Sequence, residues 1–180
     1  MTTSPALTDK TTVAARPTAL SMVSAFVAVL FSGMFAGFLV TVMVVEATLR
    51  SYGAGVYTQV RLIELGHLDE LATALLLPSI LAAVVLTVTV IRRPGSGRWV
   101  ALTAVAFLMV TLLISVLISV PINTDQLSWT VSNPPGDWSS VRDRWQLAHA
   151  VRTTTAVLAF ALLTATVALR PRPHLSSTAG

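Results

Sequence analysis

A chain of 180 residues that is 54% hydrophobic and only 11% charged, with a mean hydropathy of +0.76, falls well below the roughly 25% charge of soluble domains and belongs to the integral membrane class, with lipid as its first partner. The formal charge of +4 does not point to nucleic acid, because the basic residues flank apolar runs and form no base-reading patch. The absence of cysteine removes disulfides, thiolate metal sites and thiol redox chemistry, including that of four-helix quinone reductases built on a cysteine pair.

Residues 1–18 are rich in Thr, Ala and Pro without helical periodicity and are expected to form a disordered cytoplasmic tail. The first apolar run, Leu20–Val45, is too long for a signal-peptide core and reads as a retained span. Its Gly33-Met-Phe-Ala-Gly37 spacing permits close helix approach, either inside one bundle or at the seam of a homo-oligomer. Glu46 follows. At the interface its carboxylate would be unremarkable, whereas turned inward it would need a cationic partner. Tyr52-Gly-Ala-Gly55 reads as a turn. A second helix should begin near Val56, with Tyr57, Arg61, Glu64 and Leu68 on one face and His67 at its edge. The i, i+3 pair Arg61–Glu64 is expected to be a surface ion pair of little worth.

The second span, Leu71–Ile91, contains Pro78, which should kink it. Pro94-Gly95-Ser96-Gly97 predicts a tight turn into an antiparallel third span, Trp99–Val120. Pro121 is expected to end that span and to open a polar loop of about 25 residues between helices 3 and 4. The loop holds Trp129 and Trp138, placed to serve as interfacial belt residues, and the turn Asn133-Pro-Pro-Gly-Asp137. The fourth span is Leu147–Leu169. Residues 171–180, including His174, are expected to be a second disordered cytoplasmic tail.

The fold class that follows is all-α, a four-transmembrane-helix antiparallel bundle over residues 19–170. Lys10 and Arg16, then Arg92, Arg93 and Arg98, then Arg170 and Arg172 fall on one side if each run crosses once. By the positive-inside rule both the N and C termini are expected to be cytoplasmic, in a multi-pass protein of the cell membrane. Glu46, Glu64, Asp69, Glu70, Asp125, Asp137 and Asp143 gather at the opposite end together with Arg50, Arg61, Arg142 and Arg144. That end should hold the chemistry.

Within it, Arg142, Trp145, His149 and Arg152 recur at i, i+3, i+7 and i+10, on one face of a helix. An imidazole and a guanidinium carried toward hydrocarbon are costly, so they should face the bundle interior. His149 is the candidate for proton transfer. Arg152, one turn away, could stabilise a phenolate, enolate or peroxide. Trp145 and Trp138 offer flat surfaces to an aromatic ligand, and Asn123 could supply a neutral donor or acceptor. The rival reading is a structural network tying helix ends together, with Arg152 paired to Glu46 or Glu64. A metal-binding alternative joins His67, His149, Glu46 and Glu64 around iron or copper, or the two histidines around haem, although no His-x-x-x-His or Glu-x-x-His spacing supports it. No dinucleotide, Walker, nucleophile-elbow or zinc-protease motif is present. The internal repeats or midplane-broken helices that a transporter would want are not evident either.

Pro121-Ile-Asn123, followed by Trp138, Arg142, Trp145, His149 and Arg152, resembles the DUF1772 or anthrone-oxygenase-like membrane proteins. Gly37-Phe-Leu-Val and Tyr57-x-x-x-Arg61 fit the first half of that family, so the resemblance covers roughly Ser21 to Leu169. It implies a four-helix membrane protein and, for some members, oxidation of polyketide anthrones to anthraquinones by O₂ without a cofactor. Carried onto this chain, it implies catalytic roles for His149, Arg152 and Asn123. It further implies that Trp138, Trp145, Arg142 and Tyr57 contact a phenolic polycyclic substrate.

Overall fold

The computed structural model describes residues 18–91 and 96–168. The expected tails, the basic residues Lys10, Arg16, Arg92, Arg93, Arg170 and Arg172, His174 and the Pro94-Gly95 half of the turn lie outside the described residues.

Thr18 starts the first helix, its Oγ1 accepting from the backbone N–H of Ser21 at 3.2 Å, so that one of the first-turn donors is satisfied. The elements are α1 (Ala19–Leu49), α2 (Ala54–Leu65), α3 (Leu68–Ile91), α4 (Gly97–Ile114), a π-helical turn (Ser115–Ser119), α5 (Val120–Gln126) and α6 (Trp138–Ala168). Four stretches are long and apolar enough to cross a membrane: α1, α3, the continuous run Gly97–Gln126, and α6. The chain is therefore a multi-pass integral membrane protein.

α1 packs against α3 and α6, and α4 against the same two. The ring order is thus α1–α3–α4–α6, and every neighbour is antiparallel if each stretch crosses once. The core between them is small and apolar: Ala28, Phe35, Leu39, Ala83, Leu86, Ala101, Ala104, Leu108, Ala159 and Leu163. Lipid tails remove most of the hydrophobic drive between helices, so close fit and interhelical hydrogen bonds carry the association. The Thr111–Thr155 hydroxyl pair, 2.7 Å apart, joins α4 to α6. Of the two spaced glycines, Gly33 faces the ring of Phe160 on α6, where a Cβ would come within 2.9 Å, while nothing lies within 4 Å of a Cβ at Gly37. The close approach allowed by Gly33 is therefore used inside the bundle.

Pro121 does not end the third span. The π-helical turn just before it lets Val120 N–H donate to Ser115 O, five residues back. This widened turn adjusts the backbone ahead of a ring that has no N–H to give. The helix then runs on to Gln126, which turns Asn123 and Gln126 inward. α6 begins earlier than hydropathy suggests, at Trp138. The long polar connection expected between helices 3 and 4 shrinks to residues 127–137.

Candidate functional site

α2 lies across the end of the bundle where α1 meets α3, and its Arg61 sinks into it with only 3% of its surface exposed. The expectation of a surface ion pair is corrected here. Arg61 Nη1 donates to Glu64 Oε2 at 2.7 Å and to Glu46 Oε1 at 3.3 Å, and all three groups are buried or nearly so. Nε and Nη2 donate to Gln126 Oε1 at 3.1 and 2.9 Å, and Nη2 also reaches Asn123 Oδ1 at 3.0 Å. A planar five-donor cation can hold this many acceptors at once, which an ammonium cannot.

Asn123, turned inward by the π-helical turn, links two layers. Its Oδ1 accepts from Arg61 and from Trp145 Nε1 at 2.7 Å, and its Nδ2 donates to both carboxylate oxygens of Asp69 at 2.9 Å. The amide is thereby fully engaged, and its orientation is dictated by those partners. Gln146 donates to the backbone carbonyl and Oε2 of Glu46 at 2.8 and 2.9 Å, closing the network from α6.

The spacing on α6 places Trp145, His149 and Arg152 on its buried face. Trp145 is the point where this polar network meets His149. The Arg61 guanidinium sits 4.1 Å from the indole centroid, and the imidazole of His149 stacks on that indole at 4.8 Å with planes 9° apart. His149 Nε2 lies 2.9 Å from the backbone oxygen of Leu39. A carbonyl only accepts, so Nε2 carries a proton, and in the neutral ring Nδ1 then holds the lone pair. Nδ1 is buried and has no hydrogen-bond partner among the described residues, and neither has Arg152 Nε. Arg152 is 7% exposed and stands beyond ion-pair distance of every described carboxylate. Its expected pairing with Glu46 or Glu64 is not found, because Arg61 takes both.

His149 and Arg152 both line a cavity of about 30 Å³, walled by Leu39, Val42 and Phe38 of α1, by Arg61, Glu64 and Leu65 of α2, by Leu68, Asp69 and Ala72 at the start of α3, and by Trp145. That is room for about two water molecules.

The remaining expected site residues stand apart from this cavity. Tyr57, fully buried, packs with Leu49, Trp129 and Val141, and its ring lies 5.6 Å from that of Trp138. Trp129, buried, and Trp138, half-buried, thus pack around Tyr57 at the bundle end. Burial, and secondarily the charge of Glu46, pushes the Tyr57 phenol above its ordinary range. Arg142 lies over Trp138 at 4.9 Å and pairs with Asp143 at 3.0 Å. His67 is exposed and does not join His149. Among the described residues no three His, Asp or Glu side chains converge in a way that could hold a metal ion. Sequence reasoning missed Arg61 as the hub, and with it Gln126, Gln146 and Asp69. The signal available was the shared face of Tyr57, Arg61 and Glu64.

A family model described as anthrone oxygenase matches residues 67–162, more than half of the chain. The matched segment contains Asp69, Asn123, Trp145, His149 and Arg152, while Glu46, Tyr57, Arg61 and Glu64 precede it. No curated protein and no solved structure matches the chain.

Proposed function

The chain belongs to the anthrone oxygenase (DUF1772) family, and from that premise we propose that it oxidises the activated methylene of a phenolic polycyclic ketone to a quinone with O₂, in the cell membrane and with both termini cytoplasmic. One observation carries this reading: a lone-pair imidazole nitrogen and an unpaired guanidinium, both buried, border the same cavity. A base beside a fixed cation suits an acidic C–H, because the negative charge that develops at the deprotonated carbon, and then on the peroxide formed there, needs an immediate partner.

His149 Nδ1 removes a methylene proton, and the electron pair delocalises through the rings, as an enolate, toward the ketone oxygen on the far edge, while Arg152, beside His149, stabilises the negative charge that remains at the methylene carbon. The enolate passes one electron to O₂, and the resulting carbon radical and superoxide combine to a peroxide anion. That anion takes the proton back from His149. Loss of the second methylene hydrogen, with cleavage of the O–O bond, releases one water and leaves the quinone carbonyl. One O₂ is consumed and one water formed per methylene oxidised. The electrons come from the substrate, so the scheme as written needs no cofactor.

Asn123 is a positioning residue in this scheme, since its amide is fully occupied by Arg61, Trp145 and Asp69. The saturation of Arg61 by four side chains favours a structural role for that half of the cluster. The test is oxygen uptake by the membrane-embedded protein over a panel of hydroxylated anthrones and other phenols, wild type beside Arg152→Ala. Uptake with one quinone per O₂, reduced about 10²–10³-fold in the variant, is expected. Equal rates in the two proteins would remove Arg152 from the chemistry.

A further inference from the structure

The cavity is about 30 Å³, an order of magnitude below the roughly 300 Å³ or more of a pocket that engulfs a drug-sized molecule. A flat tricycle cannot lie inside it. Only a reacting edge can reach His149 and Arg152, and the rest of the ring system must rest at the mouth.

The lining residues locate that mouth. Leu39, Arg61, Trp145, His149 and Arg152 are buried and make the floor, while Phe38, Leu65, Leu68 and Ala72 are half-buried and Asp69 is exposed. The open side is therefore the seam between α1 and α3, with α2 above it, and its half-buried lining is apolar apart from Glu64. Phe38 lies about 16 Å along α1 from Leu49 at 1.5 Å per residue, which carries the lower lip toward the acyl chains. Packed side chains crowd the axial direction. Tyr57 is fully buried among Trp129, Val141 and Leu49 at the bundle end, and the bonds of Arg61 to Glu46, Glu64, Asn123 and Gln126 fill the layer beneath.

We infer that the α1–α3 seam, lined by Phe38, Leu65, Leu68 and Ala72, is a lateral binding site for a flat, bilayer-dissolved aromatic whose reacting edge alone enters the cavity. This rests on the proposed function for the identity of the edge, the activated methylene of a phenolic ketone, but not for the route. Asp69, fixed by Asn123, marks the polar upper lip, and the ring system lies below it against Phe38 and Ala72.

The probe is a dihydroxyanthraquinone, flat and product-like, titrated into lipid nanodiscs holding the full chain, with empty nanodiscs subtracted. Ala72→Trp and Leu68→Trp, one on each side of Asp69 along α3, are expected to weaken binding at least about tenfold. Leu81→Trp, on the same helix but 67% exposed and away from the seam, should bind like wild type. Two mouth variants are used so that loss of folding in one leaves the other to decide. Wild-type affinity in the folded mouth variants, or no specific binding to the wild-type protein, would overturn the lateral site. Oxygen uptake is measured on the same samples. Binding that is lost in the mouth variants, in a wild type that never consumes O₂ with an anthrone, would support the site and refute the enzymatic reading. Uptake unchanged by the mouth variants would do the reverse.

Discussion

The indole of Trp145 and the imidazole of His149 lie one helical turn apart, stacked with ring centroids 4.8 Å apart and planes nearly parallel, at 9°. Trp145 is itself held by its Nε1–H bond to Asn123 and by Arg61 over its ring, so the aim of the imidazole depends in part on Asn123, which does not line the cavity. Trp145→Phe keeps a flat surface but loses the bond to Asn123, and Trp145→Ala loses both. Turnover of an anthrone should fall modestly in the first and about 10²-fold in the second, because small displacements of a catalytic group cost that much. The loss should appear in kcat more than in KM. A loss confined to a raised KM would make Trp145 a binding surface only.

Arg61 and Arg50 both make ion pairs, but in opposite surroundings. Arg61 and Glu46 are 3% and 2% exposed, whereas Arg50 and Asp143 are about half exposed. Removing one partner of a buried pair strands the other charge, at about 3–5 kcal/mol, while an exposed pair is worth about 1 kcal/mol or less. Arg61→Met should therefore lower unfolding stability in micelles by several kcal/mol and Arg50→Ala hardly at all. Adding Glu46→Gln to Arg61→Met should recover part of the loss, since it removes the stranded charge.

The buried Tyr57 phenol ionises above the ordinary value of about 10. A group whose folded pKa is raised contributes stability that is complete below the unfolded pKa and is lost as pH rises through the folded one. Stability should thus decline with pH above about 10, and Tyr57→Phe should flatten that decline. Tyrosinate absorbance followed against pH gives the check: one of the two tyrosines should ionise only on unfolding. Full ionisation of both in the folded protein would contradict the burial of Tyr57.

Gly33 and Gly37 share a helix and a spacing motif but differ in surroundings. A Cβ at Gly33 meets Phe160 at 2.9 Å, and one at Gly37 meets nothing. Gly33→Val should destabilise by about 1–3 kcal/mol through overpacking, and Gly37→Ala should be neutral or slightly stabilising in the helix interior. Thermal unfolding of the two variants separates them.

Four apolar runs, read against the thickness of a bilayer, were enough for the bundle, because length and hydropathy are local properties. The face carrying Trp145, His149 and Arg152 was legible for the same reason: all three belong to one helix. Helix ends were less so. Pro121 looked like a terminator, and the π-helical turn that accommodates it depends on a backbone adjustment no residue spells out. Arg61 was misjudged because its neighbour at i+3, Glu64, suggested a sufficient local partner. Its other acceptors, Glu46, Asn123 and Gln126, come from α1 and α5, and only the folding of α2 across the bundle end brings them together. Likewise His67 and His149 lie at similar heights in sequence terms, yet one is exposed and the other buried.

The central claim is that His149 is the base, with Nε2 bound to Leu39 O and Nδ1 left to work. Oxygen consumption with a hydroxylated anthrone, compared between wild type and His149→Ala in the same nanodiscs, tests it most directly. The variant should fall about 10²–10⁴-fold, to the uncatalysed rate, while retaining its fold by thermal unfolding. A folded His149→Ala protein that consumes O₂ and forms quinone at the wild-type rate would contradict the claim outright.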